Sequence, residues 1–234
     1  MNLLWTELCE RGEIIFDDHR ESQLNRYLDL LLEANQRMNL TRITDRVAAE
    51  VQHIGDSLTL LPYLAKEPGK IVDVGSGGGV PGLPLAIVRP DLSVTLIEST
   101  KKKAMFLRQT IESLGLSNVA VMDCRAEDAG RGESRETFDV AIVRAVATLD
   151  WLAEWCLPLV KKRGWILAMK GQRAADELET AKAAIKLMGG GPPIVHTVTL
   201  PGSEHRVIIQ IPKVGKTHPS FPRAATEAKG KPIG

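Results

Sequence analysis

No two cysteines of this chain are placed to pair. Cys9, Cys124 and Cys156 are odd in number, far apart and outside any C-x-x-C arrangement, which excludes a disulfide scaffold and points to reduced thiols in a reducing compartment. Ligand spacing for a metal is missing too, because His19, His53, His196, His205 and His218 are scattered. No apolar run approaches the length that spans a bilayer, and the start, Met-Asn-Leu-Leu-Trp-Thr-Glu, has no basic stretch ahead of an apolar one. The expectation is a cytoplasmic protein with no membrane and no metal partner. The formal net charge is only +1, so no whole-molecule field advertises nucleic acid, and any such partner has to be read from local patches. At 234 residues, 44% hydrophobic and 25% charged, the chain is expected to fold as one domain, or as one domain with an appended helical piece.

What is present is concentrated in Ile71-Val-Asp-Val-Gly-Ser-Gly-Gly-Gly-Val-Pro-Gly82. The pattern predicts a buried strand over residues 70–74, a glycine-rich turn and an apolar helix over 83–88. Such a turn admits φ > 0 and lets a ligand lie against bare backbone, while the helix start that follows offers free N–H groups and a positive dipole end. Gly77-x-Gly79-x-x-Gly82 also fits the dinucleotide fingerprint. The D-x-G-x-G-x-G run from Asp73, however, resembles the first motif of class I methyltransferases, which favours S-adenosylmethionine over NAD. Glu98 closes the next strand, 93–97, where a carboxylate accepts hydrogen bonds from ribose hydroxyls in either case.

Ahead of this core, apolar residues at Leu24, Tyr27, Leu28, Leu31, Leu32 and Met38 mark one face of a helix over 18–38, with Asp17 or Asp18 as cap. A second helical pattern through Val47, Val51 and Ile54 is expected to break at Gly55, with Asp56 or Ser57 capping a new helix. Residues 1–68 therefore read as a helical segment packed on the core, with Pro68-Gly69 as the boundary. Strand and helix then alternate over 93–97, 101–114, 119–122, 138–143, 148–157, 164–169 and 173–188, the rhythm of a parallel sheet with right-handed crossovers. The runs 194–200 and 206–211 are separated by too short a turn for a crossover, so the last strand must be antiparallel to its predecessor. The predicted fold is α/β: a Rossmann-like, seven-stranded, mostly parallel sheet with one antiparallel strand, spanning 69–212. Residues 213–234 read as a basic, flexible tail, with Lys213, Lys216, Arg223, Lys229 and Lys231 against Glu227.

Open α/β sheets bind ligands beyond the carboxyl ends of their strands, which singles out Gly75, Glu98, Arg125 to Glu127, Arg144 and Lys170. Ala126-Glu127 is placed to read an adenine edge, or else simply starts a helix. Arg144 stays protonated, so it binds an anion or acceptor groups and is no base. Lys101 to Lys103 reads first as a solvated helix face. His53, Asp56 and Ser57 carry no signal of their own beyond capping and packing.

Together, Asn39-Leu-Thr41, His53-Ile-Gly-Asp-Ser-Leu58, Asp73-Val-Gly-Ser-Gly-Gly-Gly-Val-Pro-Gly82, Phe138-Asp-Val-Ala-Ile-Val-Arg-Ala145, Lys170-Gly171 and Glu204-His-Arg206 resemble the bacterial RsmG family, also called GidB. The resemblance implies a 16S rRNA guanine-N7 methyltransferase acting on guanine 527 of the 530 loop, on the small ribosomal subunit or an assembly intermediate. It implies S-adenosylmethionine held by Gly75, Val80, Glu98, Ser99, Thr100, Ala126, Glu127 and Arg144, and RNA met by Asn39, His53, Asp56, Ser57, Lys170, Arg206 and Arg223. Two departures remove positive charge from the RNA side: Gln52 replaces a basic residue before the histidine, and Pro222-Arg-Ala-Ala225 lacks a following lysine. Asn-Pro-Pro-Tyr is absent, which argues against transfer to an exocyclic adenine amine. Guanine N7 has an in-plane lone pair and no proton, so no catalytic base is expected. Phosphate affinity is assigned to Lys101 to Lys103, Arg42, Arg46 and the tail. A methyltransferase with another substrate and a non-catalytic RNA-binding assembly factor remain the competing classes.

Overall fold

The computed structural model describes residues 1–67, 69–202, 205–228 and 230–233. Pro68, Glu204 and Lys229, which figure in the boundary, motif and tail expectations, lie outside those residues. The N-terminal segment contains α1 (Leu3–Arg11), α2 (Asp18–Met38), α3 (Arg46–Ala49), a wide π turn (Glu50–Gly55) and α4 (Asp56–Leu58). The remainder alternates β1 (Lys70–Val74), α5 (Gly82–Val88), β2 (Ser93–Ile97), α6 (Lys101–Leu114), β3 (Val119–Met122), α7 (Ala126–Arg131), β4 (Phe138–Arg144), α8 (Leu149–Cys156), β5 (Val160–Lys170) and α9 (Ala174–Leu187). It closes with β6 (Ile194–Val198), β7 (Arg206–Pro212) and a short α10 (Ala225–Ala228).

The strands form one seven-stranded sheet in the order β3-β2-β1-β4-β5-β7-β6. All pairs from β3 to β5 are parallel, and β7 runs antiparallel to both β5 and β6, so it is the reversed strand that the short 199–205 connection demanded. Alternation along each strand divides the apolar side chains between two faces. Ile71, Val140, Ile142, Leu167 and Met169 enter the core shared with the N-terminal helices, α5 and α6. Val72, Val74, Ala141, Val143, Ile166 and Ala168 enter the one under α7, α8 and α9.

Helix α2 forms as its spacing requires. The Asp17 carboxylate accepts from the Arg20 N–H, and Leu24, Tyr27, Leu28 and Leu31 are buried along one stripe. The expected break at Gly55 does not occur. Gly55 (φ −53, ψ −50) and Asp56 (φ −56, ψ −42) are helical, and neither Asp56 nor Ser57 makes a cap hydrogen bond. The chain absorbs its extra residue as a π turn, while the buried Trp5 indole of α1 donates to the Glu50 carbonyl at 3.0 Å. Such bulges recur where a helix must re-aim side chains at a functional surface.

The C-terminal segment read as a flexible tail lies against the core. Lys213 is buried and donates to the Leu157 and Met188 carbonyls at 2.8 and 3.0 Å and to the Thr217 hydroxyl; burial lowers its pKa to about 8. Arg223 grips the buried Glu154 carboxylate through Nε (2.8 Å) and Nη2 (2.6 Å), with its backbone N–H adding a third bond at 2.9 Å. Lysine and arginine counts announced solvation, and they hid a strand extension with a carboxylate partner. Removing the arginine leaves Glu154 buried without a counter-ion. Arg223→Ala is therefore expected to lower unfolding free energy by about 2–3 kcal/mol, below the full cost of breaking a deeply buried pair because Arg223 is partly exposed; urea denaturation at neutral pH measures it.

Candidate functional site

At the carboxyl edge of the sheet the ends of β1, β2 and β4 diverge, and the end of α2 and residues 40–44 stand over them. Between them lies an open cleft of about 1330 Å³. The glycine turn forms its floor. Gly75, with φ +73, leaves β1 in a conformation that disfavours a side chain, and a Cβ there would stand 2.7 Å from Val146 Cγ2. Gly82 is small for another reason: its Cβ would lie 2.7 Å from the Asp73 carboxylate, whose Oδ2 accepts the Gly82 N–H at 3.0 Å. Asp73 thus staples the far end of the turn back onto β1. Its Oδ1 is buried without a hydrogen-bond partner among the described residues, and burial raises its pKa to about 7, opposed by the Gly82 amide. From the other side the buried Tyr27 hydroxyl of α2 donates to the Gly78 carbonyl at 2.8 Å.

Glu98 ends β2 with both oxygens engaged. Oε2 accepts from Gly77 N–H at 2.9 Å and Oε1 from Thr100 N–H at 2.7 Å. Each oxygen keeps a lone pair, so the carboxylate braces the turn and still presents acceptors to the cleft that it lines.

The opposite wall is organised by Arg144 at the end of β4. Nη1 donates to the Gln52 carbonyl at 2.7 Å and lies 3.0 Å from Asp56 Oδ2, while Nη2 lies 3.2 Å from His53 Nδ1. Arg206 approaches the same Asp56 oxygen at 3.4 Å. A guanidinium only donates, so the tautomer that satisfies it has His53 Nδ1 accepting and the ring proton on Nε2, facing Thr41 Oγ1 at 2.9 Å; the Gln52 carbonyl also faces the ring and raises its pKa slightly. Burial first, and the Arg144 charge second, press the His53 pKa down to about 4, and the ring is neutral at pH 7. For Asp56 burial raises the pKa, with Arg144 and Arg206 pulling it back. Beyond Arg144, Ala145 takes φ +54, a conformation that costs a non-glycine residue on the order of 1–3 kcal/mol. The next residue, Val146, is thereby laid over Gly75.

Of the residues singled out in the sequence, Gly75, Val80, Glu98, Ser99, Arg144, Asn39 and His53 line the cleft. Thr100 stands just outside it, bonded to Glu98. Ala126 and Glu127 open α7 away from its lining, buried, with Glu127 3.9 Å from Arg125. Asp56 lies behind Arg144, and Ser57 donates to the His53 carbonyl at 2.6 Å. Lys170 is held by Glu177 at 2.7 Å and the Ala147 carbonyl at 2.6 Å, and Arg223 by Glu154. Arg46, assigned to phosphates, is bonded to Asp29, Glu50 and Asn25. The sequence reading missed the bracing by Tyr27, which looked like one more apolar position, and the closure of the wall by Thr41. Among the described residues no group of three His, Cys, Asp or Glu is placed to hold a metal ion, and no helix is long and apolar enough to cross a membrane.

A family model described as rRNA small subunit methyltransferase G matches residues 20–206. The protein of that name from Roseiflexus sp. (strain RS-1) is 44% identical over 218 residues, 93% of each chain. The one from Lactobacillus delbrueckii subsp. bulgaricus (strain ATCC BAA-365 / Lb-18) is 42% identical over 235 residues, 98% of each. Among solved structures, a SAM dependent methyltransferase from Aquifex aeolicus superposes with a TM-score of 0.57 at 16% identity, over 75% of this chain and 97% of that one, a likeness of fold.

Two outcomes follow from the site's geometry. Tyr27→Phe leaves the Gly78 carbonyl without its buried donor and is expected to cost about 1–2 kcal/mol in denaturant unfolding. The two shifted titrations act in opposite directions on stability. His53, depressed from 6.5 to about 4, contributes stability that is complete above about pH 6.5 and lost as pH falls towards 4. Asp73, raised from 3.8 to about 7, contributes stability that is complete below 3.8 and lost as pH rises through 7. Substituting His53→Gln should therefore flatten the pH 4–6.5 limb of a stability profile and leave the opposing Asp73 limb in place.

Proposed function

Because the chain belongs to the rRNA small subunit methyltransferase G family, we propose that it transfers a methyl group from S-adenosylmethionine to N7 of guanine 527, in the 530 loop of 16S rRNA. The substrate is the small ribosomal subunit or an assembly intermediate of it in the cytoplasm. The observation that carries this reading is the meeting of two unlike walls in one cleft. One is bare backbone braced by a carboxylate, and the other is a set of hydrogen-bonding side chains fixed by a buried arginine.

The first wall fits the cofactor. Gly75 turns the chain at φ +73 and lines the cleft with backbone, the backbone amides of the turn give it positive potential, and Glu98 keeps free lone pairs suited to a ribose diol. Val80 and Ser99 complete the contact from the turn and the β2 end. When bound, S-adenosylmethionine supplies a methyl group on a sulfonium, which an in-plane purine lone pair accepts without loss of a proton. The chain therefore needs no base, and its task is to fix donor and acceptor in an attack geometry and hold water away. Arg144 serves within the second wall, which it lines, holding His53 and the π turn in place. Asn39, in the left-handed region at the end of α2 (φ +50), lines the cleft beside Thr41.

N7 is accessible when the guanine is unpaired or splayed from its stack, as in a loop. Phosphates flanking it are assigned to Lys101, Lys102 and Lys103 at the start of α6, of which Lys103 lines the cleft, and to the exposed Arg42.

Incubating the protein with donor labelled in its methyl group and with small subunits lacking the modification is expected to label 16S rRNA, with strand scission diagnostic of 7-methylguanine at one position. Label elsewhere, or none, overturns the reading. Glu98→Ala removes two amide braces and the ribose acceptors together, and calorimetry is expected to show donor affinity about 10- to 100-fold weaker, the value of a hydrogen bond to a charged group.

A further inference from the structure

The arrangement around Thr41 has a chemical direction. A threonine hydroxyl carries one proton and two lone pairs, and because it rotates it ordinarily serves donors and acceptors alike. Here that freedom is removed. Thr41 Oγ1 accepts the Ile43 backbone N–H at 3.1 Å. It also faces His53 Nε2 at 2.9 Å, and that nitrogen carries the ring proton in the tautomer whose Nδ1 accepts from the Arg144 guanidinium at 3.2 Å. In that tautomer both lone pairs are spent. Among the described residues no acceptor meets the hydroxyl proton, and Thr41 lines the cleft together with His53, Arg144, Gly75 and Glu98. The proton is left to point into the cleft, as a donor that cannot reverse into an acceptor.

We propose that the Thr41 hydroxyl reads the base to be methylated by donating to O6 of guanine, and that Arg144 and His53 are positioning residues that lock it as a donor. The proposal rests on the N7 reading above. On the edge that carries N7, guanine shows a second acceptor, O6, whereas adenine shows an amino donor, N6. A hydroxyl able to rotate would tolerate either. One with both lone pairs occupied accepts guanine and opposes adenine, donor against donor, and a site with a fixed polar group discriminates far more strongly than an apolar pocket. The arrangement also explains why a buried ion pair sits behind a histidine that carries no charge. Asp56 holds the guanidinium, and the guanidinium holds the tautomer.

The test uses small subunits reconstituted with 16S rRNA that carries either guanine or 2-aminopurine at the target position. 2-Aminopurine keeps N7 and the 2-amino group and lacks O6. The wild-type protein is expected to lose about 10- to 100-fold in kcat/KM on 2-aminopurine, the range for one hydrogen bond and its unmet donor. Thr41→Val should lose a similar factor on guanine and then treat the two bases alike, with donor affinity close to wild type and a lowered thermal midpoint, since the Ile43 and His53 donors lose their acceptor. Thr41→Ser should keep the discrimination. A Thr41→Val protein that still discriminates as the wild type does overturns the assignment. So does a wild type indifferent to O6, a result that holds even if Thr41→Val fails to fold. A wild type that labels no guanine N7 overturns the N7 reading instead, and that failure is distinguished by appearing before any variant is compared.

Discussion

Arg144 cannot give up its proton inside this fold, and the cleft is built around that fact. Burial works against its charge, and Asp56 and Arg206 act on it in opposite senses. Coming from the end of β4, it reaches Gln52, His53 and Asp56, the inner face of the π turn and the start of α4. One side chain thereby ties the sheet's carboxyl edge to the N-terminal helices that cover it. Because the guanidinium has donors and no acceptor, it also dictates the polarity of what it touches, and through His53 that polarity is carried to Thr41. The geometry of the wall and the direction of its hydrogen bonds have a common origin.

The same economy governs the opposite wall. The turn after β1 has little side-chain matter to hold it, so its shape is imposed from outside. Asp73 acts from below through the Gly82 amide, Glu98 from the neighbouring strand through the Gly77 amide, and Tyr27 from α2 through the Gly78 carbonyl. These contacts span the chain from residue 27 to residue 98, which is why the covering helix and the sheet make one site. A backbone held this way presents amides to a ligand in a fixed array, with little left to order on binding.

Much of this was legible from residue order. The helices over 18–38 and 101–114 and the strands over 70–74, 93–97 and 119–122 coincide with the observed elements, because apolar periodicity and local caps act within a few residues. The reversal of the last strand followed from a connection too short for a crossover. What escaped depended on partners distant in the chain. The π turn replaces the break expected at Gly55, since a local glycine signal yields to Trp5 and Arg144 holding the helix together. β5 begins at Val160, four residues before the strand predicted at 164, because its early part is basic and exposed and gains its pairing late: Arg163 N–H donates to the Lys213 carbonyl at 2.9 Å. Lys213 and Arg223 read as solvated charge, and no composition reveals that a lysine ends among carbonyls. Thr41 appeared in a motif without a role, because its role is set by occupied lone pairs, which only neighbours in space reveal.

The reversed strand β7 carries a further implication for biosynthesis. Among the described residues β6 is hydrogen-bonded in the sheet only through β7, so as the chain folds the earlier strand has no seat until the later one arrives. In that interval the apolar β5 strand, with Ile166 to Met169 at its centre, presents an unsatisfied ribbon of amides and carbonyls of the kind that recruits other chains. A chain cut short between residues 200 and 206 would be left with that border uncovered, and the closing hairpin is what covers it.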